Sequence, residues 1–134
     1  MQLEDIKDEN GNSIAIIISE VSNLQPGHTF PTQPSDELQV GLFNHKQGHE
    51  ISRHYHPPFA RELNFTTEVL LILSGSVQVD IYNDSLKLVK SVQVGGNSVI
   101  ILKRGGHGFS ILQDAIIVEV KQGPYAGDKD KIVF

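Results

Sequence analysis

Turn-forming residues recur roughly every 8–12 positions along this chain, and this spacing limits the length of its helices and strands. Clusters of Asn, Asp, Gly and Pro alternate with short runs rich in Val, Ile and Leu. Such runs have the length of strands and are shorter than most helices. The pattern therefore predicts an all-β protein, a sandwich or a barrel. The predicted strands comprise residues 14–18, 38–43, 69–73, 77–82, 99–102 and 116–120.

Length, composition and charge narrow the class of protein. A chain of 134 residues predicts one domain with one hydrophobic core. The formal net charge of −5 argues against a nucleic-acid partner, since phosphate binding needs clustered Lys and Arg. The chain has no cysteine, so any metal must be held by His, Asp or Glu.

The amino-terminal residues do not have the pattern of a secretory signal. Its first residues are acidic, whereas a secretory signal is basic and then apolar. The apolar run at residues 14–18 is too short to cross a bilayer. We therefore expect no membrane partner and a cytoplasmic location. The prolines within residues 29–37 predict a loop that joins an amino-terminal strand or hairpin to the barrel.

The run at residues 69–73 is apolar at every position, so both faces of this strand need cover. One face, with Glu68, Leu70 and Ile72, would look inward. The other face needs a second sheet layer or another subunit. Together with the apolar residues 15–18, this second face predicts a homodimer.

Four residues predict a metal site inside the barrel. His54 and His56 are one residue apart, and strand side chains alternate, so a strand would present both on one face. Glu68 begins an apolar strand, and His107 follows two glycines. Three imidazoles and one carboxylate suit one divalent transition metal. Glu62 is nearer to His56 and is the alternative carboxylate, although it falls in a predicted loop.

The remaining histidines receive a different interpretation. A single histidine in an apolar strand is more often a hydrogen-bonded core residue than a metal ligand. We interpret His28, His45 and His49 in this way.

The spacing of the predicted ligands resembles the two motifs of the cupin superfamily. The first motif is Gly-x5-His-x-His-x3,4-Glu-x6-Gly. Its residues correspond in order to Gly48, His54, His56, Glu68 and Gly75, although eleven residues separate His56 from Glu68 here.

The second cupin motif is Gly-x5-Pro-x-Gly-x2-His, with an asparagine four positions after the histidine. Gly96 and His107 hold this spacing. Leu102 stands where proline is usual, Arg104 where glycine is usual, and Ile111 where the asparagine is expected.

The resemblance covers about residues 38–122 and implies a double-stranded β-helix, or jelly-roll barrel. It also implies that the two histidines, the glutamate and the later histidine bind one iron, manganese, zinc, nickel or copper ion. The carboxyl end, residues 119–131, is similar to that of small single-domain cupins of the WbuC type, which accompany bacterial surface-polysaccharide enzymes.

The resemblance favours a metal-dependent enzyme acting on a small polar molecule such as a sugar or nucleotide-sugar, by isomerisation or epimerisation. A bound metal would polarise a carbonyl group and ease enolisation. An iron-dependent dioxygenase and a non-enzymatic module that binds a small ligand or the metal itself stay open, because each would use the same ligands.

The eleven residues between His56 and Glu68 leave the predicted metal strand and return to it. A loop in this position is a candidate lid, in which Arg61 would meet the charge of a substrate. The alternative is a loop packed permanently on the barrel rim, with its phenylalanines as a local core. Tyr125, which follows the last predicted strand, is a second candidate substrate contact or a cap on the barrel edge.

Overall fold

The computed structural model describes every residue of the chain except Asp128. Strands comprise 47% of the residues and helix only 4%. The all-β class predicted from the spacing of turns is therefore confirmed. In the described part of the chain, no helix is long and apolar enough to cross a membrane.

Eight strands and two short 3₁₀ helices make up the fold. The helices comprise Val21–Asn23 and Gly127–Lys129. The strands are β1 Gln2–Lys7, β2 Ser13–Ser19, β3 Gly27–Thr29, β4 Leu42–Asn44, β5 Glu68–Tyr82, β6 Leu88–Gly95, β7 Ser98–Leu102 and β8 Gly106–Lys121.

The strands form two antiparallel sheets. The main sheet has the order β1-β2-β7-β5-β6, and β8 pairs with β5 as well. The first half of β5 pairs with β7, and the second half of β5 pairs with β6. Strand β8 pairs with β5 along almost the full length of β5. The small sheet is the pair β3–β4. Neither sheet closes on itself through strand pairing among the described residues.

The prediction of two separate strands at residues 69–73 and 77–82, divided at the turn-forming residues Ser74, Gly75 and Ser76, is wrong. Strand β5 continues through these residues for 15 residues in all. Gly75 has a positive φ of 82°, and the pairing of β5 with β8 shifts register on both sides of it. The glycine therefore bends the strand instead of ending it, since β8 pairs with the chain before and after the bend.

Strand β5 separates two hydrophobic clusters, one on each face of the main sheet. Leu70, Ile72, Val77, Val79 and Ile81 belong to the larger cluster, which also takes buried residues from β1, β2, β6 and β7. Nine large side chains of the chain are almost completely inaccessible, and burying each contributes about 1.5–3 kcal/mol before the entropy cost of ordering.

The smaller cluster covers the other face of the sheet. Val69 lies there together with residues of β2 and β7. Leu38 and Val40, from the connection between β3 and β4, and Leu42 of β4 pack onto it. The second face of residues 69–73 is thus partly covered by a further layer of the same chain, one of the two alternatives that the sequence left open.

Several strand boundaries differ from the prediction. Of the predicted strand 38–43, only the end lies in β4, because Leu38 and Val40 pack on the sheet without pairing into it. The predicted strands do not include β3 or β6, and β1 corresponds only to the expected amino-terminal strand or hairpin, for which no bounds were predicted. In β6, the adjacent polar residues Lys90 and Ser91 interrupt the apolar alternation that identifies a half-buried strand.

The bend at Gly75 predicts a large effect of a small substitution. A Cβ at this position would overlap the Asp114 carbonyl oxygen and lie 2.6 Å from Ala115 Cα. We expect Gly75→Ala to lower the free energy of unfolding by about 2–5 kcal/mol, from the positive φ and the steric overlap together. Urea denaturation measures this loss. Gly108→Ala is the matched control, because a Cβ at Gly108 in β8 meets nothing within 4 Å, and equal destabilisation of both variants would contradict the bend as its cause.

Candidate functional site

Glu68 and His107 lie in contact although the pairing of β5 and β8 places them far apart along the strands. Glu68 pairs with Lys121, whereas His107 pairs with Ile81, at the other end of β5. In a straight ribbon the two ends would be about 40 Å apart. His107 Nε2 is nevertheless 3.2 Å from Glu68 Oε2. The β5–β8 ribbon therefore curls until its two ends meet.

The environment of this pair is polar and partly enclosed. The His107 ring lowers the pKa of Glu68 from its ordinary value of 4.5 by hydrogen bonding to its carboxylate, while burial opposes the shift. Lys121 Nζ lies 3.8 Å from Glu68 Oε1 and 2.9 Å from Asp130 Oδ2. Asp130 raises the pKa of Lys121 by accepting a hydrogen bond from it. Lys121 therefore keeps its charge and is paired more closely with Asp130 than with Glu68.

Two neighbouring cavities open beside the pair. The larger has a volume of about 550 Å³ and the smaller about 430 Å³, and Glu68, His107 and Lys121 line both. Tyr82 and Arg104 line the larger cavity from the other end of the curled ribbon. These volumes fall in the range of small-molecule sites. The lining of the larger cavity combines the cations Arg104, Lys121 and Lys131 with the carboxylates of Glu68 and Asp130.

His54 and His56 do not lie on a strand, so the prediction that they share a strand face is wrong. No strand is assigned between residues 45 and 67, and residues 51–66 are exposed throughout. The following Pro57 and Pro58 have no backbone N–H to donate to a neighbouring strand. The two imidazole rings still lie near each other, with centroids 5.3 Å apart, and His54 Nδ1 is 2.9 Å from Ser52 O.

The structure thus brings together two of the four predicted ligands, Glu68 and His107. His54 and His56 form a second pair on the loop. Among the described residues, the one group of three or more candidate ligands close enough to hold an ion contains neither pair. Glu62, the alternative carboxylate, is exposed on the same loop. The four-ligand site stays a prediction.

The loop is fastened at its carboxyl-terminal end. Glu37 accepts hydrogen bonds from the backbone N–H groups of Asn64 and Phe65 at 2.9 and 3.0 Å, and from the Asn64 side chain. The Arg104 guanidinium lies 4.8 Å from the centre of the Phe65 ring. Thr67 N donates to Gln122 Oε1 at 2.8 Å. These contacts hold the loop where it enters β5.

The phenylalanines of the loop do not form a local core. Phe59 is 72% exposed and Phe65 is 41% exposed. Arg61 is exposed as well, with its guanidinium 5.1 Å from the centre of the Phe59 ring. Tyr125, beyond the end of β8, is exposed and faces Lys121 Nζ at 5.7 Å. A loop packed permanently on the rim is therefore not what the structure has.

His28, His45 and His49 form a cluster that the sequence analysis missed. We interpreted them as core residues, but His28 and His49 are exposed and His45 is partly buried. Their ligand atoms all lie within 4.8 Å of one another. Burial and the neighbouring histidines lower the pKa of His45. The sequence signal was the spacing His45-x3-His49 around a turn, although nothing in it pointed to His28.

Comparison with protein-family models, with curated proteins and with solved structures finds no match to this chain.

The Glu37 anchor predicts a pH-dependent attachment of the loop. The Phe65 and Asn64 hydrogen bonds hold the pKa of Glu37 below its ordinary value of 4.5. Because the folded-state pKa is the lower one, the anchor is fully present above pH 4.5 and is lost as the pH falls through the lowered value. We expect Glu37→Gln to remove, already at neutral pH, the hydrogen-exchange protection of the Asn64 and Phe65 amides.

Protection factors measured by NMR between pH 3 and pH 7 test this anchor. Glu62→Gln, in the same loop, is the control and should leave the protection unchanged. Full protection in Glu37→Gln would show that other contacts hold the loop.

Proposed function

We propose that this chain is a cupin-like metal-binding protein in which His54, His56, Glu68 and His107 hold one divalent transition metal. The contact of Glu68 with His107 carries the proposal. It unites the carboxylate of the first cupin-like motif with the histidine of the second, across a curled ribbon. A curled antiparallel ribbon around a hydrophobic cluster is also the arrangement that a jelly-roll barrel requires.

The other two ligands require the loop to close. Tyr55 and Phe59 are highly exposed in the described conformation, and exposed apolar side chains on one segment favour docking onto another surface. The loop is held at residues 64–67 beside the cavity that Glu68 lines. Closure about this end would bring His54 and His56 toward Glu68 and His107 and bury part of the apolar surface.

We propose an enzyme that acts on a sugar or nucleotide-sugar, by isomerisation or epimerisation. A metal held by three imidazoles and one carboxylate would polarise a substrate carbonyl. Lys131 lines the cavity and would bind phosphate or other anionic groups of the substrate. Arg104 and Lys121 line it as well, but they are paired with Asp84 and Asp130. Arg61 on the closing loop and Tyr125 beyond β8 would complete the substrate contacts.

Metal binding tests the proposal. We expect the double variant His54→Ala, His56→Ala to bind one ion fewer per chain than the wild type. We expect Glu68→Gln to weaken the affinity for the same ion. The loss should exceed the roughly 10- to 100-fold loss of affinity that follows removal of an outer-shell partner. Equilibrium dialysis of untagged protein with elemental analysis measures both.

The matched control is Glu62→Gln, which exchanges the nearby loop carboxylate. It should leave metal content and affinity unchanged. Wild-type stoichiometry in the double histidine variant would overturn the proposed site, and a loss in Glu62→Gln but not in Glu68→Gln would transfer the carboxylate role to Glu62.

We also propose that the chain forms a homodimer through β8. In the described part of the chain, β8 pairs with β5 alone, so its outer edge is free over 16 residues. Long free edges favour pairing with another strand. A second copy related by a two-fold axis pairs antiparallel with this edge. The exposed apolar residues Leu73, Ile116, Val118 and Val120 would then form one continuous face across both copies.

Light scattering tests the dimer. We expect a mass twice the chain's 14.8 kDa at micromolar concentration, and the monomer mass for Val118→Lys, because a lysine would be buried in the joint face. Leu88→Lys, at an exposed apolar position of β6, is the control and should stay dimeric. A monomeric wild type would contradict the proposal.

A further inference from the structure

His28, His45 and His49 converge from three parts of the chain. His28 lies in β3 opposite Phe43 of β4. His45 directly follows β4. His49 lies in the next turn, and its backbone N–H donates to Lys46 O at 3.1 Å. The cluster thus connects the small sheet with the beginning of the exposed loop.

The distances between the imidazoles suit a shared ion. His28 Nε2 lies 2.9 Å from His45 Nε2, and one nitrogen of each of the three rings lies within 4.8 Å of the other two. Two nitrogens bound at about 2.0–2.1 Å to one tetrahedral ion are about 3.4 Å apart. The observed separations bracket this value, so small side-chain rotations suffice to bind an ion.

The surroundings restrict the rings, although His45 and His49 must leave their stacked arrangement to direct nitrogens at one ion. Phe43 contacts the His28 ring edge-on with centroids 4.8 Å apart, and the rings of His45 and His49 stack at 3.8 Å. Asn44 Nδ2 donates to Leu24 O at 2.6 Å, which fastens β4 immediately before His45. A site whose side chains are already oriented loses less entropy when it binds an ion.

We propose that His28, His45 and His49 form a second metal site, specific for a divalent transition metal such as zinc, copper or nickel. Three neutral imidazoles favour these ions over calcium and magnesium, which prefer oxygen ligands. The cluster is at the surface, so water completes the coordination. A bound ion fastens the amino-terminal end of the exposed loop, which begins next to His49, as Glu37 fastens the other end.

The ligands of this site are separate from those of the proposed cupin-like site, so one experiment distinguishes the two. Untagged protein is freed of metal with a chelator and dialysed against zinc at neutral pH, and the bound zinc is counted. The variants are His45→Ala, His49→Ala and, separately, His54→Ala, His56→Ala. Thermal unfolding in chelator verifies that each variant folds, and the single variant His49→Ala replaces the double one if folding fails.

We expect two zinc ions per wild-type chain and one in each double variant. Zinc should also slow amide exchange at residues 50–53 in the wild type but not in His45→Ala, His49→Ala. Unchanged stoichiometry in that variant, or unchanged exchange in zinc-loaded wild type, would overturn this inference and leave the cupin-like site intact. If the wild type binds one zinc ion and only the His45→Ala, His49→Ala variant loses it, this inference is supported and the cupin-like site is overturned. If the wild type binds no zinc, both sites are overturned.

Discussion

The contact between Glu68 and His107 depends on the curl of the β5–β8 ribbon, and the rest of the structure follows from that curl. Two strands paired over most of their length are stiff along their axis, so their ends meet only where the backbone bends. Gly75 supplies a bend with a positive φ against Asp114 and Ala115. Because the bend turns β5 from β7 toward β6, one strand serves both parts of the sheet.

The curl also separates a rigid part of the candidate site from an exposed part. Glu68 is the first residue of β5 and His107 the second residue of β8. These two strands pair with each other and pack on the larger hydrophobic cluster through residues such as Leu70 and Phe109. His54 and His56 lie on a segment without strand pairing, which is exposed from residue 51 to residue 66. Elements with few buried contacts open at the lowest free-energy cost, so the loop is the part of the site suited to move during binding.

The sequence predicted those features that depend on neighbouring residues. The apolar run at residues 69–73 showed that both faces of the strand need cover, as the two clusters confirm. It could not predict features that depend on distant parts of the chain. The turn-forming residues around Gly75 are the same whether the strand ends there or bends there. Only the pairing with β8 on both sides of Gly75 determines that it bends. His28 and His45 are 17 residues apart, and the pairing of β3 with β4 brings them together.

The charges around Glu68 explain how this carboxylate could exchange its present partners for a metal. A buried carboxylate that gives up its cation leaves that cation unpaired, which is costly. Here Lys121 lies closer to Asp130 than to Glu68, and Glu119 is 3.6 Å away as well. Lys121 therefore stays paired when Glu68 turns toward a metal. Its other partner, His107, belongs to the same proposed ligand set, so metal binding would replace the contact between the two without leaving either group unpaired.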